Sequence, residues 1–232
     1  NILNMVIIYK MSIQVLGNRV PCEYFISVGG GESEAGSKGL PFETGSYDAA
    51  LNDAGIQNVN VVKYTSVIPT HAKQIDKEVG LKGIQWGEVM ECIMAQANGK
   101  KGSTITAAVM TTEVKDPKGT HLGGFACEYS GSGTKKQVEI SLAESIEGMI
   151  ERRHYGTFPN KLQMYKDNKT SKGYIVHPGR VLAFKTLDIK AAHGTVLASI
   201  CFTAYDYPIL KRRKNHSGGG QKRRRTRKRR KY

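Results

Sequence analysis

The spacing of apolar residues along the chain predicts a protein made mostly of strands, with few helices. Runs rich in β-branched and aromatic residues predict strands at 20–28, 59–64, 89–95, 104–112, 122–129, 181–191 and 195–205. The last two runs are close together, so they would form a hairpin turned at His193-Gly194. The pattern therefore favours an α+β fold, in which sheets pack together with helices outside.

Two segments carry helical signals. Residues 46–54 begin at Ser46, a capping residue, contain good helix formers and stop at Gly55. Residues 137–153 are the clearer case, because apolar side chains recur there three and four positions apart. Their spacing predicts one buried stripe, made of Val138, Leu142, Ile146, Met149 and Ile150.

Two stretches are predicted to be irregular. Residues 155–179 are polar and contain two prolines, which is typical of a loop or an insertion. Gly29–Gly39 is too rich in glycine for a regular element, and a phosphate-binding loop is disfavoured because no Gly-Lys-Ser/Thr ending follows. Glu32 and Glu34 would also repel a phosphate. A flexible loop lining a site is the better interpretation.

Charge divides the chain into parts. The net charge is +15 over 232 residues, but residues 211–232 hold 13 Lys and Arg and no acid, which leaves 22 − 20 = +2 for the remainder. We expect an N-terminal extension at 1–19 that need not be the native start, a folded domain at 20–210, and a disordered basic tail at 211–232. The tail would attract polyanions, nucleic acid included, without reading sequence, and a solubility or targeting role is the favoured alternative.

Cysteine and histidine usage predicts neither a disulfide framework nor a metal site. The four cysteines are far apart in apolar surroundings without a Cys-x-x-Cys pair, and the six histidines show no His-x-x-x-His spacing. Reduced, buried thiols in a cytoplasmic protein fit this pattern. No apolar run is long enough to span a membrane.

Several segments become informative in combination. They are the glycine-rich run, Pro41-Phe-Glu-Thr-Gly-Ser-Tyr-Asp48, Ala54-Gly-Ile-Gln-Asn-Val-Asn60, Tyr64-Thr-Ser-Val-Ile-Pro69 and Gly123-Gly-Phe-Ala-Cys-Glu128-Tyr. Together they resemble the pyruvoyl-dependent arginine decarboxylases, and the Thr-Ser junction resembles the chlamydial branch most. The resemblance is good over residues 20–153 and looser through the strands at 181–206.

The resemblance implies a self-cleaving enzyme. Members of this family cut their backbone immediately before a serine, which here matches Ser66, and that serine becomes a covalent pyruvoyl cofactor. The cut would lie between Thr65 and Ser66, giving a β chain that ends at Thr65 and an α chain that begins at residue 66. The pyruvoyl ketone would then capture the amine of L-arginine and act as an electron sink while CO2 departs, which yields agmatine.

The resemblance also implies roles for three further residues, each with a structural alternative. Glu128 matches the proton donor, and its alternative is an exposed acid on an edge strand. Asn60 matches an asparagine that assists processing, and its alternative is a cross-strand or turn contact. Asp48 matches the acid that faces the substrate guanidinium, and its alternative is an acid in the first turn of a helix, near the positive end of the helix dipole.

The family further implies a four-layer αββα sandwich and a trimer, or dimer of trimers, of αβ units with active sites between subunits. The chain departs from the family at Thr65, where most members have serine, in the stretch 155–179, and in the basic tail. Two alternatives stay open. One is the same chemistry on another amino acid, and the other is an unprocessed, non-catalytic relative that binds polyanions through its tail.

Overall fold

A computed structural model describes residues 15–34 and 43–210 of the chain. The basic tail at 211–232 lies outside the described residues, as do most of the N-terminal extension and residues 35–42. In chain order the elements are β1 (Val15–Leu16), β2 (Val20–Ser33), α1 (Glu43–Asp53), β3 (Asn60–Lys63), β4 (Val67–Ile68), β5 (Lys73–Gln74), α2 (Lys77–Leu81), β6 (Val89–Lys100), β7 (Thr104–Lys115), β8 (His121–Gly131), α3 (Lys135–Arg152), β9 (Ile175–Val176), β10 (Arg180–Asp188), β11 (His193–Asp206) and β12 (Ile209–Leu210).

Arg19–Asp206 forms one compact unit that contains two five-stranded sheets. The first, called the β11 sheet, has the order β3-β6-β11-β2-β5, and the second, called the β7 sheet, has the order β10-β7-β8-β4 with β9 also paired to β7. Most neighbours are antiparallel, whereas β3 with β6 and β2 with β5 are parallel. Separately, β1 and β12 pair as a short antiparallel ribbon. The protein is therefore α+β, as the pattern of strands and helices predicts.

Three apolar clusters hold these elements together. One takes residues from both sheets, among them Ile93, Val109 and Phe202. Another joins α3 to the β7 sheet, and the last joins α1 to the β11 sheet. Strands β6, β7, β8 and β11 therefore bury side chains on both faces, which explains why their apolar runs in the sequence are nearly continuous.

The predicted helix at 137–153 is confirmed as α3. All five predicted stripe residues are buried, together with Ala143. The helix begins with a capping box, in which Thr134 Oγ1 accepts a hydrogen bond from the Gln137 backbone and the Gln137 side chain bonds back to Thr134. Strong periodicity and a good cap agree here, so the prediction is accurate to two residues at the N-terminal end and one at the other.

The glycine-rich run is where the sequence prediction is wrong. Residues 29–33 continue β2 and pair with β11 up to His193 instead of forming a loop. The glycines are needed because α1 lies directly on the strand: a Cβ at Gly29 would lie 2.0 Å from the Ala50 carbonyl oxygen, and one at Gly31 would lie 2.4 Å from the Ala50 nitrogen. Close approach of a helix, rather than flexibility, accounts for this composition.

The helix at 46–54 is confirmed, but its start is not. Helix α1 begins at Glu43, so Ser46 lies inside it, buried, with its hydroxyl 2.8 Å from Thr195 Oγ1. Gly55, at φ +73°, ends the helix in the left-handed region as expected. Ser46 thus joins α1 to the sheet instead of capping it.

The predicted hairpin of the last two long strands is also wrong. His193 and Gly194 belong to β11, and β10 pairs with β7 in the other sheet. The chain crosses between the sheets at 189–192, where Glu32 Oε1 accepts the backbone N–H groups of Lys190 and Ala191 at 2.5 and 2.9 Å. Two strands that are close in sequence often form a hairpin. Here β10 and β11 lie in different sheets instead, because the core is built from both sheets.

Candidate functional site

The Thr65-Ser66 junction connects the two sheets. The chain leaves β3 in the β11 sheet and enters β4, which pairs with β8 in the β7 sheet through Val67 opposite Phe125. Before the junction, the backbone N–H of Tyr64 donates to the Cys92 carbonyl at 2.8 Å. Both sides of the junction are therefore held by sheet hydrogen bonds.

The junction itself is a tight three-residue turn centred on Ser66. The backbone N–H of Val67 donates to the Thr65 carbonyl oxygen, with N and O 3.1 Å apart. Thr65 is exposed and Ser66 is half-buried. This hydrogen bond draws electron density from the carbonyl carbon of Thr65, the atom that the neighbouring hydroxyl would attack.

Glu128 lies beside Ser66, as the family resemblance leads one to expect. The Ser66 side chain is close enough to the Glu128 carboxyl group to lower its pKa, and the backbone N–H of Ala126 donates to the Ser66 carbonyl at 3.0 Å. Ser66 is thus held against β8 through both its side chain and its backbone. Among the residues named from the sequence, this is the pair that the fold brings into contact.

The surroundings of Glu128 favour its protonated form. Desolvation is the main cause that raises the pKa of the carboxyl group, although Glu128 is exposed in the single chain, as the structural alternative expects. The backbone hydrogen bond, the Ser66 hydroxyl and the charge of Lys63 act in the opposite direction and are weaker. Lys63 was missed from the sequence, although it lies two positions before Thr65 at the end of a strand.

The neighbouring Cys127 does not take part in this site. It packs in the α3 cluster on the other face of β8, and burial raises the pKa of its thiol to about 11. All four cysteines are free thiols, and all but the partly exposed Cys22 are buried. The prediction of buried thiols is thus confirmed for three of the four.

Asn60 lies at the end of β3 away from Ser66. Its side-chain Nδ2 donates to the Gly87 carbonyl oxygen at 2.7 Å, which is the turn contact considered as the alternative. Residues 61–64 separate it from the junction. Within one chain the fold does not bring Asn60 to the Thr65 carbonyl.

Asp48 lies exposed in the second turn of α1, so the alternative of a first-turn acid is wrong because the helix begins at Glu43. Helix α1 packs on the β11 sheet. Among the described residues, no hydrogen bond or ion pair joins Asp48 to Ser66 or Glu128. The clefts of about 640, 410, 400 and 250 Å³ are lined by neither Ser66 nor Glu128.

Residues 15–34 and 43–210 contain neither a metal-ion cluster nor a membrane-spanning helix. No three His, Cys, Asp or Glu side chains gather there as a metal-ion site. No helix in these ranges is both long and apolar enough to cross a membrane.

Comparison with known proteins gives one consistent family. The family model for pyruvoyl-dependent arginine decarboxylase matches residues 23–207. The pyruvoyl-dependent arginine decarboxylase AaxB of Chlamydia abortus is 39% identical over 121 residues, which are 49% of this chain and 60% of the relative. The AaxB protein of Chlamydia pneumoniae is 40% identical over 119 residues, with the same coverage.

An archaeal relative matches over a longer stretch. The pyruvoyl-dependent arginine decarboxylase of Thermoplasma volcanium is 28% identical over 138 residues, which are 60% of this chain and 71% of the relative. The match to the chlamydial proteins spans about 60% of their length.

Proposed function

Because this chain belongs to the pyruvoyl-dependent arginine decarboxylase family, we propose that it cleaves itself between Thr65 and Ser66 and converts L-arginine to agmatine and CO2. Membership implies a covalent pyruvoyl cofactor. The observation that carries the proposal is the proximity of the Ser66 side chain to the Glu128 carboxyl group, which follows from the pairing of β4 with β8. It joins the residue that matches the cofactor precursor to the residue that matches the proton donor.

Self-cleavage would use groups already at the junction. The Ser66 hydroxyl attacks the Thr65 carbonyl carbon, and an ester replaces the amide while the nitrogen gains a proton. The Val67 N–H supports this step because it donates to the carbonyl oxygen on which negative charge develops. An ionised Glu128 can accept the proton of the neighbouring Ser66 hydroxyl. β-Elimination from the ester, followed by hydrolysis, leaves the pyruvoyl group and ammonia.

In the decarboxylation step, the pyruvoyl carbonyl supplies an electron sink for the bond to the departing carboxylate. Glu128 then supplies a proton to the substrate carbon. Its raised pKa keeps more of the acid form available near neutral pH. Conversion of Ser66 also removes the hydroxyl that lowers the pKa of Glu128. Processing would therefore leave a larger fraction of Glu128 protonated.

We place Asp48 and Asn60 in a site shared between subunits. Asp48 is exposed, and Glu128 is reached by solvent in the single chain, so each is free to meet a neighbouring copy. A carboxylate can accept two parallel N–H bonds from a guanidinium, which suits Asp48 to the arginine side chain. Asn60 would assist processing by bonding the intermediate. A homotrimer of αβ units in the cytoplasm is the assembly we propose.

The proposed architecture is the four-layer αββα sandwich. It is supported by the three apolar clusters, of which one lies between the sheets and one lies between each sheet and a helix. The proposed domain is 20–210, with the segments before and after it as extension and tail. The tail at 211–232 would contact polyanions non-specifically and play no part in catalysis.

The test of the proposal is the mass of the denatured protein. Wild-type protein is expected to give two fragments split between Thr65 and Ser66, and the second fragment should react with a carbonyl reagent. Ser66→Ala should give one full-length mass and form no agmatine. Ser141→Ala, an exposed serine on α3, is the matched control and should be cut normally. A single uncut mass for the wild type would contradict the proposal and favour the non-catalytic alternative.

Glu128→Gln separates the two roles of this residue. The amide keeps a hydrogen bond to Ser66 but cannot donate a proton as an acid. Agmatine formation per cut molecule should fall by roughly 10²–10⁴-fold, the usual contribution of general acid catalysis. Undiminished turnover per cut molecule would remove Glu128 from the mechanism.

Substrates are compared on wild-type protein, and faster release of CO2 from an amino acid other than arginine would support the alternative substrate.

A further inference from the structure

A group of polar side chains lines two adjoining cavities that the proposed chemistry does not use. The cavities have volumes of about 410 and 110 Å³, and both are lined by Tyr24, Thr111, Thr112 and Glu113. The larger also contacts His177 and Arg180, and the smaller contacts His121. We call Tyr24, Glu113, His121, His177 and Arg180 the polar pocket. The larger cavity is within the size range of small-molecule sites.

Two imidazole nitrogens in the polar pocket are left without partners. His121 Nε2 and His177 Nε2 are both buried, and neither has a hydrogen-bond partner among the described residues. A buried polar atom without a partner costs about 1–3 kcal/mol, so native structures rarely keep one without a ligand or a bound water. The backbone of His177 is fixed, since its N–H donates to the Glu113 carbonyl at 2.9 Å and its carbonyl accepts from Thr112 Oγ1.

The charges of the polar pocket are opposite in sign and lie on one sheet face. Arg180 is directly opposite Thr111 in the pairing of β10 with β7, and Glu113 is two positions further along β7. This diagonal relation keeps the two side chains on the same face, where long side chains can reach each other. Nevertheless, among the described residues no ion pair involves either of them.

Tyr24 extends from the other sheet toward both charges. Burial is the main cause that raises the pKa of its phenol, and Glu113 raises it further while Arg180 lowers it. The phenol is therefore within electrostatic reach of the carboxylate and the guanidinium together. Glu113 and Arg180 are both exposed at the edge of the cavities, and their charges balance each other.

We propose that the polar pocket binds the head group of a free α-amino acid, with Glu113 accepting from the ammonium and Arg180 donating to the carboxylate. The imidazoles of His121 and His177 would rotate to bring a ring nitrogen to the same ligand, because their Nε2 atoms are not accessible to solvent as they stand. Carboxylate recognition by a guanidinium is favourable because two parallel N–H bonds can form. The site is distinct from the Ser66–Glu128 pair, because neither of those residues lines the two cavities. Ile68 and Pro69 line the smaller cavity and follow Ser66 closely, so an occupant would contact the same segment.

The test follows the imidazole signals of the full chain in nuclear magnetic resonance spectra, with glycine as the probe. His121→Gln and His177→Gln assign the two signals among the six histidines. Glycine should shift both signals saturably, whereas acetate or methylammonium should need at least about tenfold higher concentration, because each half-ligand forfeits one charge-assisted contact. No shift with glycine, which is the result if the cavities hold only water, would overturn the proposal. Equal potency of either half-ligand would overturn it too.

Glu113→Gln provides the matching loss of binding. The glycine dissociation constant should rise at least about tenfold, whereas Glu78→Gln, an exposed acid on α2, should leave it unchanged. Equal affinity in Glu113→Gln and wild type would contradict the assignment of the ammonium. Repeating the titration on Ser66→Ala keeps this result independent of the decarboxylase proposal, because binding is read without turnover.

Discussion

The two long helices are attached to their sheets in opposite ways. Helix α3 buries large apolar side chains against the β7 sheet, among them Leu142, Ile146 and Ile150. Helix α1 buries the smaller set Ala50 and Leu51, and it lies so close to β2 that Gly29 and Gly31 have no room for a Cβ. Polar contacts complete its attachment, since Ser27 Oγ donates to the Ala54 carbonyl at 2.6 Å and Ser46 bonds Thr195.

Close backbone contact also occurs next to two of the proposed site residues. Helix α1 carries Asp48, and β4 follows Ser66. Strand β8 also approaches its neighbours closely at two glycines. A Cβ at Gly123 would lie 2.7 Å from the Ile68 carbonyl oxygen in β4, and one at Gly124 would lie 2.5 Å from the Thr112 carbonyl oxygen in β7. Close backbone contact fixes position more strictly than packed side chains, which can repack after trimming.

The largest effect is expected from Gly29→Val. Its Cβ would overlap backbone atoms of Ala50 and Ala54, which cannot rotate away, so α1 must leave the sheet. We expect a loss of more than about 4 kcal/mol in the free energy of unfolding, or insoluble protein. The control is Gly30→Ala, whose nearest neighbour is the flexible end of Lys185 at 3.0 Å. Similar urea midpoints for both variants would refute a rigid helix contact.

A smaller loss is expected from Ile146→Ala in α3. Ile146 is fully buried, so its truncation should cost about 2–5 kcal/mol, measured by urea unfolding. The folded fraction should nevertheless be cut at Thr65-Ser66 as in the wild type. Ile140→Ala on the same helix is the control, because Ile140 is 38% exposed and should change stability little. Loss of cutting in folded Ile146→Ala would show that α3 also positions the junction.

Gly124→Ala should disturb the junction more than the whole fold. Its Cβ would press on the Thr112 carbonyl and displace β8 where β4 pairs with it, because Gly124 is opposite Ile68. We expect about 1–3 kcal/mol of destabilisation and a lower fraction of cut chain by mass. In Gly131→Ala the added Cβ meets only the Tyr129 side chain, at 3.3 Å or more, so cutting should be normal. Normal cutting in both variants would mean that β8 does not set the position of Ser66.

The smallest effect is a pH dependence at the attachment of α1. The Asp53 carboxylate accepts a hydrogen bond from the Gly30 N–H at 2.8 Å and one from the Lys185 ammonium, and both hold its pKa below the ordinary value. Its stabilisation is therefore present near neutral pH and is lost as pH falls through the folded pKa. Since Asp53 is about half exposed, Asp53→Asn should remove less than about 1 kcal/mol at neutral pH and flatten the acid side of the stability curve. An unchanged slope would exclude Asp53 as a contributor, and Glu78→Gln is the control.

Patterns in the sequence predicted the parts of the fold that rest on side chains. The stripe of α3 and the long strands were found because burial repeats with a regular period. The continuation of β2 through Gly29–Ser33 was missed, because close backbone approach and a flexible loop both call for glycine. Strands β4 and β5 and helix α2 were missed because two to five residues are too few to show a period.

The pairing of β10 with β7 and the contact between Ser66 and Glu128 have no local signal. Sixty-two positions separate the two site residues, and the pairing of β4 with β8 brings them together. The family resemblance identified both residues, but it could not show that they lie side by side or that the charge of Lys63 lowers the pKa of Glu128. Asn60 and Asp48 remain predictions, since one chain does not bring them to the junction.

The ladder between β2 and β11 has a consequence for a nicked molecule. It runs from Ser33 opposite His193 to Val20 opposite Asp206, and β3 adds four pairs to β6. A break after Thr65 would therefore leave one fragment threaded into a sheet whose other strands belong to the second fragment. Such a product would elute as a single species in native buffer, yet its unfolding would be bimolecular. Its thermal midpoint should accordingly rise with protein concentration, even though the two fragments stay associated in the folded state.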